Sequence, residues 1–246
     1  QGMRSPLEGE TPDERFRSAL NDLRIQGFPA LGLRVSSVRK ILRESEESTK
    51  LEALLSLDSR VEARVIAKAN SPLYGGDMSA RSIEDALFRL GDEEVTCLAI
   101  EALLQPTLKI TNHDLRVEIE ERWNRSVRTA HAARRIATAV RMNADEAYLA
   151  TLSHNVGEFM VIAALDVLRD PRQTAKLDEH IRSEHEALGA ELLENWGMPE
   201  AWIRLAGSHH GQTAQDVLQA VVQLASSATA NKVDHDLDHE KRLRTA

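Results

Sequence analysis

A single cysteine is present in 246 residues. Cys97 therefore has no internal disulfide partner. Its place in the apolar run Val95–Leu104 predicts a buried, inert thiol. Such sparing use of cysteine fits a reducing cytoplasm. Aromatic residues amount to only 4% of the chain. Long apolar runs are missing too. Stretches free of charge and amide, such as Phe159–Leu165, are far shorter than the ~20 residues a membrane-spanning helix needs. The N-terminus has no apolar signal core, so no membrane association and a cytoplasmic location are expected. The chain also lacks a glycine-rich phosphate loop, a Gly-x-Ser-x-Gly elbow and a Cys/His nucleophile pair. Nor is there a basic excess: 31 Lys and Arg against 39 Asp and Glu leave a net charge of −8. That balance argues against specific nucleic-acid binding, which is dominated by attraction to phosphate.

What is plentiful is Ala, Leu, Glu and Arg, all strong helix formers, and the fold class expected is all-α. Apolar spacing and prolines divide the chain. Helices are predicted over Pro12–Leu23, Leu31–Arg43, Thr49–Leu57, Ser59–Ala69, Ser82–Leu90 and Glu93–Leu104. The second half predicts His113–Arg141, one helix from Asn143 to about Leu168, then Ser183–Trp196, Glu200–His209 and Thr213–Ala230. Ser82 with Asp85, and Asn143 with Glu146, have the spacing of capping boxes. Asp92 is placed to cap the helix that follows Gly91. Residues 1–13 are read as an N-terminal extension and 231–246 as a charged, frayed tail, where His235 and His239 are adventitious ligands at most.

Two separated stretches carry a resemblance. The first runs from Phe28-Pro29-Ala30-Leu31 through Leu57-Asp58 and Ala69-Asn70-Ser71-Pro72-Leu73-Tyr74-Gly75. It continues to Ile83-Glu84-Asp85-Ala86-Leu87-Phe88-Arg89-Leu90-Gly91. The second holds Trp123-Asn124-Arg125-Ser126 and Leu152-Ser153-His154-Asn155-Val156-Gly157. Glu184-His185, Leu188-Gly189, Trp196-Gly197-Met198-Pro199 and His209-His210 follow. In order and spacing these resemble the HDOD family, HD-related output domains of bacterial signalling proteins. The resemblance implies an HD-like helical bundle with an additional N-terminal helical lobe. The domain would span residues 14–230, with an N-lobe over 14–106 and an HD-like lobe over 113–230.

Active HD phosphohydrolases place His and Asp where this chain has His154 and Asn155, and the resemblance departs from them elsewhere too. Their His before the Ser126 position is Arg125, their Lys is Glu158, and Leu224-Ala225 is followed by Ser226 instead of Asp. His185, His209 and His210 match the additional histidines of the two-metal HD-GYP relatives. An amide cannot supply the anionic oxygen that a hard cation prefers, and hydrolysis needs several deprotonated ligands with a metal-bound water. The vestigial pocket expected is therefore Arg125, His154, Asn155, Glu158, His185, His209, His210 and Ser226, with no catalytic residue, no metal and no cofactor. The four histidines would hold a soft metal such as zinc only if all converged.

Bland readings stand beside these. His154 on a buried helix reads as a hydrogen-bonded core histidine, and His209-His210 as a cap at the C-terminal end of their helix. Arg122, Arg125, Arg128, Arg134 and Arg135 read as a solvated surface. Asn70-Ser71 reads as closing its own helix end. Arg125 is expected to fill the metal space, held by Asn155 and Glu158. The function implied is a non-catalytic signalling output or scaffold domain whose partners are other signalling proteins. Family members often accompany receiver, GGDEF or EAL domains. The first alternative is a residual metal-dependent phosphodiesterase. The second is a DNA-associated regulator using Arg60, Arg64 and Lys68, which fall at i, i+4 and i+8.

Overall fold

The computed structural model describes residues 11–26, 28–59, 61–71, 79–105, 108–210 and 213–244, with residues 231–244 described only as helical backbone. Every regular element among them is a helix. Cα packing divides the chain into residues 33–105 and a second unit made of residues 1–32 with 106–246.

The smaller unit takes α2 (Pro29–Glu44) from residue 33 onward, then α3 (Glu47–Ser56), α4 (Val61–Ala69), α5 (Ile83–Leu90) and α6 (Asp92–Leu104). Helices α3, α4 and α5 all pack on α6. Its run Val95 and Cys97–Leu104 is buried, the lone thiol included. Such an all-round apolar helix belongs at the centre of its unit. Ser82 caps α5, its hydroxyl accepting from the Asp85 amide at 3.2 Å. Gly91, at φ 80°, closes α5 and also begins α6. The expected Asp92 cap does not form, because Asp92 is already the first helical residue.

The cations of α4 face inward. Arg64 donates to the Ala102 carbonyl at 2.7 Å, and Lys68 is paired with the buried Glu101. Arg60 lies outside the described residues. Asn70 does not close its own helix end. Its amide donates to the Ala80 carbonyl and accepts from the Ala80 amide, both at 2.8 Å.

The larger unit opens with α1 (Pro12–Gln26) and resumes with α7 (His113–Ala139), α8 (Ala144–Ser153), α9 (Val156–Leu168) and α10 (Pro171–Thr174). It closes with α11 (Leu177–Asn195), α12 (Glu200–Ser208) and α13 (Val217–Arg244). Helix α9 is buried from Val156 to Asp166. It packs on α11 and α1, while α7 packs on α8 and α13. The expected N-lobe of residues 14–106 therefore loses its first helix: Phe16 of α1 stacks on His180 of α11, ring centroids 3.9 Å apart. The apolar face of a short amphipathic helix does not name the surface it covers.

Three further expectations change. The helix expected from Asn143 to Leu168 is two, broken at His154-Asn155. Helix α10 was not expected, although Asp170 at the N-cap and Pro171 at N1 form a standard opening. Helix α13 continues past Ala230 to Arg244. The side chains of His235 and His239 lie outside the description. Among the described residues no helix is long and apolar enough to cross a membrane.

Candidate functional site

The break between α8 and α9 builds the site. Asn143 caps α8 through a 2.8 Å bond from the Glu146 amide. Tyr148, Leu149, Ala150 and Leu152 then bury α8. Its polar side chains close on the helix itself, Thr151 donating to Ala147 O at 2.6 Å and Ser153 to Leu149 O at 2.9 Å. Helix α9 restarts after Asn155 and crosses α11 at close range. A Cβ at Gly157 would fall inside contact distance of the His185 carbonyl, and one at Gly189 would lie 3.4 Å from the His154 carbonyl. Glycine at 157 is thus a condition for bringing His154 and His185 together.

Four histidines converge there. His154 and His209 stand edge to face with ring centroids 4.8 Å apart. His185 is 5.1 Å from both His209 and His210 by the same measure, and His209 and His210 are 4.1 Å apart. The Nε2 atoms of His185 and His209 face each other at 3.3 Å. Each of the three inner rings turns Nδ1 to a backbone carbonyl. His154 reaches Thr151 O at 2.5 Å, His185 reaches Ile181 O at 2.6 Å and His209 reaches Ala206 O at 3.1 Å. A carbonyl only accepts, so these partners assign the ring proton to Nδ1 and leave Nε2 with its lone pair. Burial pushes the His154 imidazole down to about 4, opposed by its bond to Thr151. Burial, joined by the neighbouring histidines, pushes His209 down to about 2. Both rings are neutral at neutral pH.

Glu186 was not singled out in the sequence. It accepts from the His210 amide at 3.1 Å and lies 3.7 Å from Nδ1 of His209. Its signal in the sequence is its place beside His185 in Glu184-His185-Glu186.

Arg125 is exposed and does not fill the metal space. The buried guanidinium belongs to Arg122, one turn earlier. It pairs with Glu158 at 3.3 Å, with Glu118 at 3.3 Å and with Asp178 at 3.0 Å. The reason is helical register. Leu115, Ile119, Arg122, Trp123, Ser126, Ala130 and Ala133 make the inward face of α7, which leaves Glu121, Arg125 and Arg128 outside. The arginines are therefore not one solvated surface, and Arg134 too is engaged, with Asp145 at 3.1 Å. Ser226 is exposed on α13 and stays apart from this chemistry. Asn155 is partly buried. Among the described residues its Oδ1 is enclosed without a hydrogen-bond partner.

The carboxylate-bound metal of active HD enzymes does not fit these residues. Asn155 offers an amide, Ser226 points outward, and Glu158 is held by Arg122. A cleft of about 820 Å³ opens instead beside that guanidinium's partners. It is lined by Asp114, Glu118, Asp166, Arg169 and Asp178 among others, and by none of the four histidines.

The comparisons with known proteins agree with this architecture. The chain is 23% identical over 217 residues to an uncharacterized protein of Treponema pallidum (strain Nichols), covering 83% of this chain and 41% of that protein. It therefore spans about two fifths of that relative's length. An HDOD domain protein of unknown function from Geobacter sulfurreducens superposes with a TM-score of 0.56 at 21% identity, covering 89% of this chain and 78% of the other. A candidate metal-dependent phosphohydrolase from Shewanella amazonensis SB2B gives 0.56 at 20% identity, over 87% and 84%. A candidate signal transduction protein from Marinobacter aquaeolei VT8 gives 0.55 at 20% identity, over 87% and 53%. At these identities the structural likenesses speak for the fold alone. The family model for the HDOD domain matches residues 29–212 of the 246, and the chain belongs to the HDOD family.

Proposed function

We propose that this chain is a non-catalytic signal-transduction domain that acts through contacts with other signalling proteins. The observation that carries this reading is the Arg122–Glu158 pair. Glu158 is the one carboxylate among the expected pocket residues, and it is buried against an internal guanidinium at 3.3 Å. No free carboxylate then remains among those residues to hold a hard divalent cation and its water. Two further facts support it. The charged side chains lining the cleft are four carboxylates, Asp114, Glu118, Asp166 and Asp178, against the single cation Arg169, a balance that repels a phosphate substrate. On α4, Arg64 and Lys68 are engaged within their own unit, which weakens a DNA-binding role. A reducing cytoplasm belongs to the same reading and rests on the single, buried Cys97.

A second reading, a residual metal-dependent phosphodiesterase, draws on the convergence of His154, His185, His209 and His210. Affinity capture from the native cytoplasm with mass spectrometry separates a binding module from an enzyme. The proposal expects a reproducible signalling partner, retained equally by wild type and by His185→Ala. Capture of no protein above control, or capture lost with His185, would speak against it.

A further inference from the structure

Three of the four converging histidines bring their ring nitrogens together with the Glu186 carboxylate. We propose that His185, Glu186, His209 and His210 form a closed binding site for a borderline divalent cation of the zinc class. Their ligand atoms, one from each residue, all lie within 4.8 Å of one another. This set is not the carboxylate-bridged one of HD hydrolases, since Asn155 and Ser226 take no part.

The geometry points to this class of ion through the His185–His209 pair. Zinc binds imidazole nitrogen at about 2.0–2.1 Å with tetrahedral angles, which sets neighbouring donor nitrogens about 3.3 Å apart. The two Nε2 atoms stand at 3.3 Å. Both rings spend their Nδ1 proton on a backbone carbonyl. Metal-bound histidines are oriented by the same outer contact, which fixes tautomer and ring direction. Two bare lone pairs facing each other repel unless a cation lies between them.

The other two ligands suit closure. His210 is exposed and Glu186 is partly exposed, so both can turn a short way onto an ion anchored by the buried pair, and the open side gives an entry path. Four protein ligands leave no position for a reactive water, the pattern of structural zinc sites. Three imidazoles and one carboxylate select zinc, nickel or copper over magnesium, calcium and manganese. The site does not depend on whether the domain acts as a scaffold.

The test uses the full chain, freed of metal by dialysis against a chelator and titrated with Zn²⁺ by calorimetry, with Mg²⁺ and Mn²⁺ as controls. His210→Ala and Glu186→Gln are the main variants, because both residues sit at the rim and their replacement spares the core. Circular dichroism and Tm without metal verify their folding. His235→Ala/His239→Ala controls for the tail. One equivalent of Zn²⁺ is expected to bind wild type and the tail variant alike, with a rise in Tm. Each rim variant should weaken binding by about ten- to a hundredfold or more while leaving the metal-free Tm unchanged. Absence of saturable Zn²⁺ binding to wild type would overturn the proposal. So would binding that both rim variants retain, binding abolished only by the tail variant, or equal affinity for Mg²⁺.

Discussion

Two polar clusters lie within the same helical unit, and they solve opposite problems. Around Arg122 a permanent cation is buried with Glu158 and flanked by Glu118 and Asp178. Its buried pair is neutral overall, with Glu118 and Asp178 at the more exposed rim. Around His185 and His209 the groups are imidazole rings whose Nδ1 atoms are engaged by backbone carbonyls and whose Nε2 atoms face one another. That cluster is short of a cation. One cluster is closed by an internal ion pair, while the other presents unshared imidazole donors. Charge compensation is what separates the two.

The largest expected effect tests the balanced cluster. Arg122→Ala leaves the Glu158 carboxylate buried and unpaired, and should lower stability by about 3–5 kcal/mol. Arg125→Ala, on the exposed face, should stay within about 0.5 kcal/mol. Urea unfolding of the two variants in parallel checks this. Similar losses at both positions would remove the distinction of register between them. Replacing both partners, Arg122→Met with Glu158→Leu, should recover most of the loss, since an apolar pair of similar volume is often neutral or better.

The next effect concerns how the histidine cluster is assembled. Gly157→Ala forces a methyl against the His185 carbonyl and should cost about 1–3 kcal/mol or more as α9 and α11 separate. Zn²⁺ affinity should fall with it. An unchanged Tm would show that the helices do not cross as closely as described.

Acid should reach the histidine cluster first. The His154 imidazole is held down to about 4 in the fold, from an ordinary 6.5, chiefly by burial. The unfolded chain therefore takes up the proton before the folded chain does. The contribution to stability is complete above about pH 6.5 and is lost as pH falls towards 4. Lowering the pH from 6.5 to 5 should cost roughly 2 kcal/mol from this group alone. Thermal melts of the metal-free chain across this range measure it, and His154→Gln should reduce the slope, with His209, held down to about 2, supplying the remainder.

The smallest effect is also informative. His210→Ala should change the stability of the metal-free chain by no more than about 0.5 kcal/mol, because the ring is exposed. A larger loss in metal-free urea unfolding would assign His210 a packing role.

Much of this architecture was legible in the sequence where local chemistry decides it. Ser82 and Asn143 announce helix starts through caps that the structure contains, and Gly91 ends α5 at a positive φ. Four histidines from three separated stretches of the sequence are placed in one pocket by resemblance, and their rings approach one another. The rest depends on partners that a sequence does not name. Nothing in Thr151–Gly157 stops an apolar helix, so the break at His154-Asn155 was invisible. It arises where α9 must meet α11 at Gly157. Arg125 was chosen by motif position, whereas the inward face of α7 selects Arg122. Phe16 and Leu20 advertise a buried face on α1 without saying that α9 and α11 provide the surface. Glu186 sits beside His185 in the chain, but only the fold brings His210 to it.

The central claim is that this pocket keeps donors for a cation and has lost hydrolysis. The most direct measurement supplies the chain, saturated in turn with Zn²⁺ and Mn²⁺, with a cyclic dinucleotide and with nucleoside triphosphates, and follows products by chromatography over hours. The account predicts no product above the protein-free control with either ion. Metal-dependent product formation that disappears in His185→Ala would contradict it.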